Sequence, residues 1–121
     1  MGGAAAHTVL VVDDDDSLRM LCRVNLELEG YRVVEAPSIE AAEELLHADP
    51  VDVVLLDVHV GRGDGFTLVS QIRDARPTAG IALFTGSAEV DAVRRAAVDA
   101  VIPKPFTLEE LSSAVARLAA P

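Results

Sequence analysis

Short apolar runs alternate with segments of helical periodicity along the whole chain, and this alternation limits the fold more than any other feature. Val9-Leu10-Val11-Val12, Val51-Asp52-Val53-Val54-Leu55-Leu56 and Ile81-Ala82-Leu83-Phe84 are nearly continuous apolar stretches, the pattern of strands covered on both faces. Strands are predicted over Thr8–Asp13, Tyr31–Ala36, Val51–Asp57, Ile81–Thr85 and about Ala100–Ile102. Helices are predicted over Ser17–Glu29, from Ser38 to near Asp49-Pro50, over Phe66–Ala75, about Ala88–Val98, and Leu108–Leu118. Their ends carry start and stop signals: Ser17 or Asp16 as an N-cap with Gly30 as a stop, Ser38 with Glu40 and Glu43, and Thr107 with Glu110 three residues on. Tyr31–Ala36 alternates more than the other runs, as an edge strand does. The pattern reads as α/β, (βα)5, a doubly wound five-stranded parallel sheet with helices on both faces.

At 121 residues the chain is one domain, large enough to bury roughly two-thirds of its unfolded surface. It holds no stretch of about 20 apolar residues, so no membrane span is expected. Residues 1–7 open with Met-Gly-Gly-Ala-Ala-Ala, without the basic segment and long apolar core of a secretory signal. They read as a flexible tail before a domain over 8–121. The lone Cys22 cannot form an internal disulfide, which fits a reducing cytoplasm. It lies in a helical pattern with Leu21 and Leu26 and is read as core. A formal net charge of −10 argues against nucleic acid as a direct partner.

Lys104 is the only lysine among ten basic residues. It sits between two prolines, in Val101-Ile102-Pro103-Lys104-Pro105-Phe106. Lysine is a compact point charge and arginine a rigid fork, so a lone lysine in an arginine-using chain suggests a site that needs an ammonium. Ligands of open parallel sheets bind at the carboxyl ends of the strands. Asp13, Asp14, Asp57, Thr85 and Lys104 all fall at or just beyond such ends and should converge in one crevice. Three ionised carboxylates there repel, by about 3 kcal/mol per pair at about 5 Å and an effective dielectric of about 20. A hard divalent cation with oxygen ligands, Mg²⁺, offsets that repulsion while keeping waters. Together with the Lys104 ammonium it brings the formal local charge to zero, so a phosphoryl group meets no net repulsion. An aspartate can attack phosphorus and form an acyl phosphate, and phosphoryl transfer needs mostly positioning and charge neutralisation.

Val11-Val12-Asp13-Asp14, Leu55-Leu56-Asp57, Asp64-Gly65, Phe84-Thr85-Gly86 and Lys104-Pro105-Phe106 together resemble the receiver domain of bacterial two-component response regulators. The resemblance covers residues 8–120. It implies the flavodoxin-like strand order 2-1-3-4-5 and Asp57 as phosphoacceptor, taking its phosphoryl group from a phosphohistidine on a sensor histidine kinase or histidine phosphotransfer protein. It implies Mg²⁺ held directly by Asp14, through water by Asp13, and by Asp57 and the His59 backbone carbonyl. Lys104 would pair with the phosphoryl oxygens, and Thr85 would swing toward them as a switch. The product is a cytoplasmic signalling switch that catalyses its own phosphorylation and dephosphorylation. Its kinase, pathway and downstream effector are not named by the sequence; the chain reads as a stand-alone regulator or as a piece cut after the last helix.

The chain departs from the family pattern in places. Val101 stands where an aromatic usually precedes the lysine by three residues. Thr85 and Lys104 are 19 residues apart, a shorter interval than the family's, so the fourth helix or its leading loop is clipped. Val60-Gly61-Arg62-Gly63 replaces a common Met-Pro pair. The Arg62-Gly63-Asp64 tripeptide is chance, with Asp64 the cap of the following helix, and these glycines are not a phosphate loop because no Gly-Lys-Ser/Thr follows. Asp15 and Asp16 favour the first helix through its dipole. Ser87 and Gly86 would control access of water to an acyl phosphate, and His59 is either a surface residue or a guide for that water. On the first helix, Met20, Val24 and Leu28 form a stripe beside Leu21, Cys22 and Leu26. It reads first as a wider buried face and second as an exposed docking stripe for a kinase helix. Two rivals remain for the whole chain. One is a Mg²⁺-dependent phosphohydrolase with an aspartyl nucleophile, which usually wants an acid where His59 stands. The other is an unphosphorylated interaction module, which often lacks part of the acidic and lysine set.

Overall fold

A computed structural model describes residues 6–86 and 91–120. Five strands, β1 (Thr8–Val12), β2 (Arg32–Ala36), β3 (Val53–Asp57), β4 (Gly80–Thr85) and β5 (Ala100–Pro103), pair in parallel in the order β2-β1-β3-β4-β5. The crossovers are α1 (Asp16–Leu28), α2 (Ile39–Ala48), α3 (Val69–Ala75) and α4 (Ala92–Ala97), and α5 (Leu108–Ala119) follows β5. The architecture is the doubly wound sheet that the alternation predicts, with β2 at an edge.

Because strand side chains alternate in direction, each strand feeds two cores. Leu10, Val12, Val54, Leu56, Ile81 and Leu83 meet Ala42, Leu46, Leu68 and Ile72 on the α2–α3 face. Val9, Val11, Val53, Leu55, Ala82 and Phe84 meet Cys22, Leu26, Leu111 and Val115 on the α1–α5 face. This explains why the central runs are almost wholly apolar, with Thr8 and Thr85 as polar residues only at their ends: β1 and β4 are buried at every position, while β2 is buried only at Ala36. Cys22 is fully buried and free, in the place the sequence suggests.

Register sets up the site. Val12 pairs with Leu56 and with Ala36, Asp57 with Phe84, and Thr85 with Pro103. The chain beyond the ends of β1, β3, β4 and β5 therefore emerges on one rim of the sheet.

Helix ends differ in detail from their sequence signals. The N-cap of α1 is Asp15, whose carboxylate accepts from the Ser17 and Leu18 amides, rather than Ser17 or Asp16. With four consecutive aspartates, the one whose backbone is extended takes the cap. At its other end Gly30, at φ 97, allows Gly30 N to donate to Glu27 O and Tyr31 N to Leu26 O, the paired bonds of a Schellman closure. The Thr107–Glu110 capping box of α5 is reciprocal, as its spacing predicts. Before α3, residues Gly65–Leu68 form a 3-10 turn capped by Asp64. Residues 59–60 and 63–64 pair as a short antiparallel hairpin, with His59 opposite Asp64.

The helix expected over about Ala88–Val98 is observed as Ala92–Ala97, capped by Asp91; the expected start at Ala88, and Ser87, lie outside the described residues. α4 buries no side chain of its own. Polar ties hold it: Arg94 pairs with Asp64 at 2.7 Å and lies over the Phe66 ring, while Arg73 donates to Ala97 O.

The stripe on α1 is exposed rather than a wider buried face. Met20, Val24 and Leu28 are open to solvent, and so is Leu21, which the periodicity had grouped with the core. Only Cys22 and Leu26 of this helix are buried, because the sheet is met by a narrow seam.

Candidate functional site

Asp13 follows directly on β1, where Asp13 N continues the ladder by donating to Ala36 O. Its side chain is fully buried. One carboxylate oxygen accepts from the Asp15 amide at 2.9 Å and the other from Lys104 Nζ at 3.2 Å. Burial pushes the Asp13 carboxyl up to about 6; the Asp57 charge adds to the rise, and the Asp15 amide and Lys104 oppose it. Asp14, one residue on, is exposed.

Asp57 ends β3 and is half-buried. Its Oδ2 accepts from Lys104 Nζ at 3.0 Å and its Oδ1 from the His59 amide at 3.3 Å. Carboxylate oxygens of Asp13, Asp14 and Asp57 all lie within 4.8 Å of one another. Hard oxygen donors gathered this closely, one of them exposed, are the donor set that a Mg²⁺-sized cation takes.

Lys104 reaches this cluster because its own backbone is fixed. Its amide donates to Thr85 O at 2.7 Å, carrying the β4–β5 pairing one residue past the strand. The ammonium then lies between Asp57 and Asp13, 5.7 Å from the centre of the Phe84 ring. Burial works to lower the lysine's pKa, but the Asp57 hydrogen bond and the two carboxylate charges outweigh it, so the net direction is up. Lys104 is charged at neutral pH. Thr85 is buried at the end of β4, one residue past Phe84, which pairs with Asp57. His59 is exposed, and its backbone enters the hairpin that leads to Asp64. The five residues that the sequence singled out, 13, 14, 57, 85 and 104, thus share one rim.

Two neighbours carry roles that sequence reasoning missed. A Cβ on Gly65 would stand 1.9 Å from the Asp57 backbone oxygen, so the loop after Asp57 folds back against the acidic residue's own peptide. Only a glycine permits that approach. Its presence in the Asp64-Gly65 motif was the available signal, but the reason for it lies in tertiary contact. Arg19, unnoticed in the sequence, donates to the Asp13 carbonyl at 2.6 Å.

Beside the site, Ser17, Leu18, Leu21, Lys104, Pro105 and Phe106 line an open cavity of about 520 Å³. A second hollow, about 300 Å³, continues it along α1 over Met20, Val24 and Asn25 and shares Ser17 and Leu21 with it.

Comparison with known proteins agrees with this geometry. The family described as response regulator receiver domain matches residues 9–116. The transcriptional regulatory protein CpxR of Escherichia coli K12 is 37% identical over 116 residues, covering 94% of this chain and 48% of CpxR. The chain spans about half or less of the length of the curated relatives it matches. A CheY-like receiver domain from Methanospirillum hungatei superposes with a TM-score of 0.86 at 25% identity, covering 93% of this chain and 92% of that one. A Burkholderia pseudomallei response regulator, described with a phosphorylated aspartic acid, a calcium ion and citrate, superposes with a TM-score of 0.77 at 25% identity, over 93% of this chain and 73% of that one. Receiver domains are signalling modules that bind Mg²⁺ at an acidic pocket. With nearly its whole length matched and an acidic rim faced by one lysine, the chain belongs to the response regulator receiver domain family, the phospho-accepting module of two-component signalling.

Proposed function

We propose that Asp57 accepts a phosphoryl group from a phosphohistidine on a sensor histidine kinase or histidine phosphotransfer protein. The observation that carries this reading is the Lys104 ammonium, 3.0 Å from Asp57 and 3.2 Å from Asp13. An Asp57 oxygen forms the new bond to phosphorus as the phosphorus–nitrogen bond breaks, and the electron pair leaves with the imidazole. Lys104 stays beside the acceptor and offsets charge on the phosphoryl oxygens, an electrostatic role already set before reaction. Thr85, at the end of the neighbouring strand, offers its hydroxyl to the same oxygens, and its movement shifts the domain between two states. Asp14 and Asp57, the His59 carbonyl, and Asp13 through water would hold Mg²⁺. When bound, that ion supplies charge neutralisation for the carboxylates and the incoming phosphoryl group. The phosphorylated aspartic acid and calcium ion named for the Burkholderia relative support this assignment.

The partner's approach follows from α1. An exposed apolar stripe next to the site is unusual enough to mark an interaction surface. Met20, Leu21 and Val24 form a groove continuous with the cavity at Lys104. An apolar helix face of the phosphohistidine donor fits there, which would bring its imidazole to Asp57. Alanine at Met20 and Val24 should slow transfer from a phosphorylated partner while leaving phosphorylation by a small donor unchanged; an unchanged transfer rate removes the docking idea. No helix among the described residues is long and apolar enough to cross a membrane. The free, buried thiol of Cys22 suits a reducing compartment, which supports a cytoplasmic module.

The reading is tested by incubation with acetyl phosphate and Mg²⁺ followed by intact-mass measurement. One phosphoryl adduct, abolished in Asp57→Asn, is the expected result. An absent adduct, or one that survives the substitution, overturns the assignment. Many turnovers per protein would make the chain a hydrolase instead.

A further inference from the structure

Arg19 leaves α1 and folds its guanidinium against the start of its own helix, where its side chain is only 11% exposed. Nη1 donates to the backbone carbonyl of Asp13 at 2.6 Å. Nε donates to Glu35 Oε1 at 3.3 Å, at the end of β2. Nη2 donates to Asp16 Oδ1. One planar fork therefore joins the helix, the acidic turn and the neighbouring strand.

The target of Nη1 matters most. The Asp13 carbonyl belongs to the peptide unit that joins Asp13 to Asp14, and that unit is planar. Fixing its oxygen fixes the direction in which the Asp14 backbone, and so its side chain, leaves the strand. The carboxylate of Asp13 is held separately, by the Asp15 amide and Lys104. Asp14 is exposed, and among the described residues no such pair of bonds holds its own carboxylate. Its aim depends on the peptide behind it.

We propose that Arg19 is a positioning residue for the divalent-cation site, acting through the 13–14 peptide rather than by touching the ion. This rests on the reading of Asp14 as a direct ligand. Groups that orient metal ligands from behind typically change metal affinity by about 10–100-fold when lost.

Charge and position make opposite demands here, which makes the idea testable. Arg19 is a cation near a cation site. If it acted only through its charge, removing it would tighten Mg²⁺ binding. If it acts by holding the peptide, removing it loosens binding despite the lost repulsion. Arg19→Lys keeps the charge but has no fork to reach three acceptors in one plane. Mg²⁺ affinity is measured by titration calorimetry on the unphosphorylated wild type, Asp14→Asn, Arg19→Lys and Arg19→Gln, with melting curves taken without Mg²⁺. Wild type should bind and Asp14→Asn should bind weakly. Both Arg19 variants should show a Kd raised roughly tenfold, and Arg19→Lys decides the matter if Arg19→Gln does not fold. An unchanged or lower Kd in folded Arg19→Lys overturns the proposal while leaving the site reading intact. Failure of wild type to bind Mg²⁺, or full binding by Asp14→Asn, removes the site reading and this inference with it.

Discussion

Replacing Gly65 by alanine should damage the site without touching any charged group. The backbone at Gly65 is not in the left-handed region, so alanine is conformationally acceptable there. The obstacle is space: the new Cβ would lie 1.9 Å from the Asp57 carbonyl oxygen and 3.1 Å from its carbonyl carbon. Reaching even 3.0 Å requires a displacement of about 1.1 Å between two backbone segments. Residue 65 cannot simply retreat, because its amide donates to Val58 O at 2.7 Å. Overpacking of this kind costs about 1–3 kcal/mol, which for a domain of this size lowers Tm by roughly 4–12 °C. The larger effect is kinetic. If Asp57 takes part of the displacement, its carboxylate moves away from Lys104 and the acidic cluster, and a misplacement of about 1 Å can cost on the order of 10²-fold in rate. Melting followed by circular dichroism and the time course of adduct formation with acetyl phosphate measure the two effects. A Gly65→Ala protein with wild-type Tm and wild-type phosphorylation rate would refute the argument that this glycine exists for close approach to Asp57.

Other outcomes follow from the same geometry. Asp13 has a folded-state pKa of about 6, above its ordinary value of 3.8, so the folded protein binds a proton that the unfolded chain releases between those values. In the absence of divalent cations this contribution makes stability rise as pH falls from about 6 toward 4, and fall as pH rises through that window. Asp13→Asn should therefore be more stable than wild type at neutral pH in a chelator, with the advantage shrinking below about pH 6 in urea titrations; a pH-independent difference contradicts the assignment. Lys104→Ala leaves the Asp13 and Asp57 carboxylates without their shared ammonium, and acetyl phosphate should label it slower by roughly two to three orders of magnitude; labelling within a factor of a few of wild type argues that the lysine is structural only. Arg94→Ala removes the Asp64 pair and the contact over Phe66. Both partners are about a third exposed, so the global loss is about 1 kcal/mol or less. Because no α4 side chain is fully buried and only Ala97 packs against the core, amide exchange over 92–97 should nevertheless quicken, and unaltered exchange there would show that the helix is held by other means.

The sequence made the sheet legible because a parallel sheet covered on both faces demands continuous apolar runs, and β1, β3 and β4 have them. The rim was legible because Asp13, Asp14, Asp57, Thr85 and Lys104 each stand next to the end of such a run. Lys104 was conspicuous as the chain's single lysine. Periodicity failed on α1, where Met20, Leu21 and Val24 are apolar yet exposed; an apolar stripe records what a helix can bury, and the narrow seam at Cys22 and Leu26 decides what it does bury. The cap of α1 was misassigned because four adjacent aspartates offer the same chemistry, and only backbone conformation separates Asp15 from the rest. Arg19 and Gly65 escaped for a related reason. Their roles depend on backbone oxygens of Asp13 and Asp57, and backbone atoms leave no trace in residue type. The short interval between Thr85 and Lys104 signalled a clipped fourth helix or a clipped leading loop; α4 runs over the six residues Ala92–Ala97, and residues 87–90 lie outside the described part of the chain.

Chemical trapping of the acyl phosphate identifies the residue that accepts the phosphoryl group. The acetyl-phosphate-treated protein is reduced with borohydride, which converts an acyl phosphate on aspartate to homoserine, and the peptides are sequenced by mass spectrometry. Homoserine is expected at position 57 alone, dependent on Mg²⁺. Homoserine at position 13 or 14, or an unmodified residue 57 in protein that carries the phosphoryl mass, would contradict it.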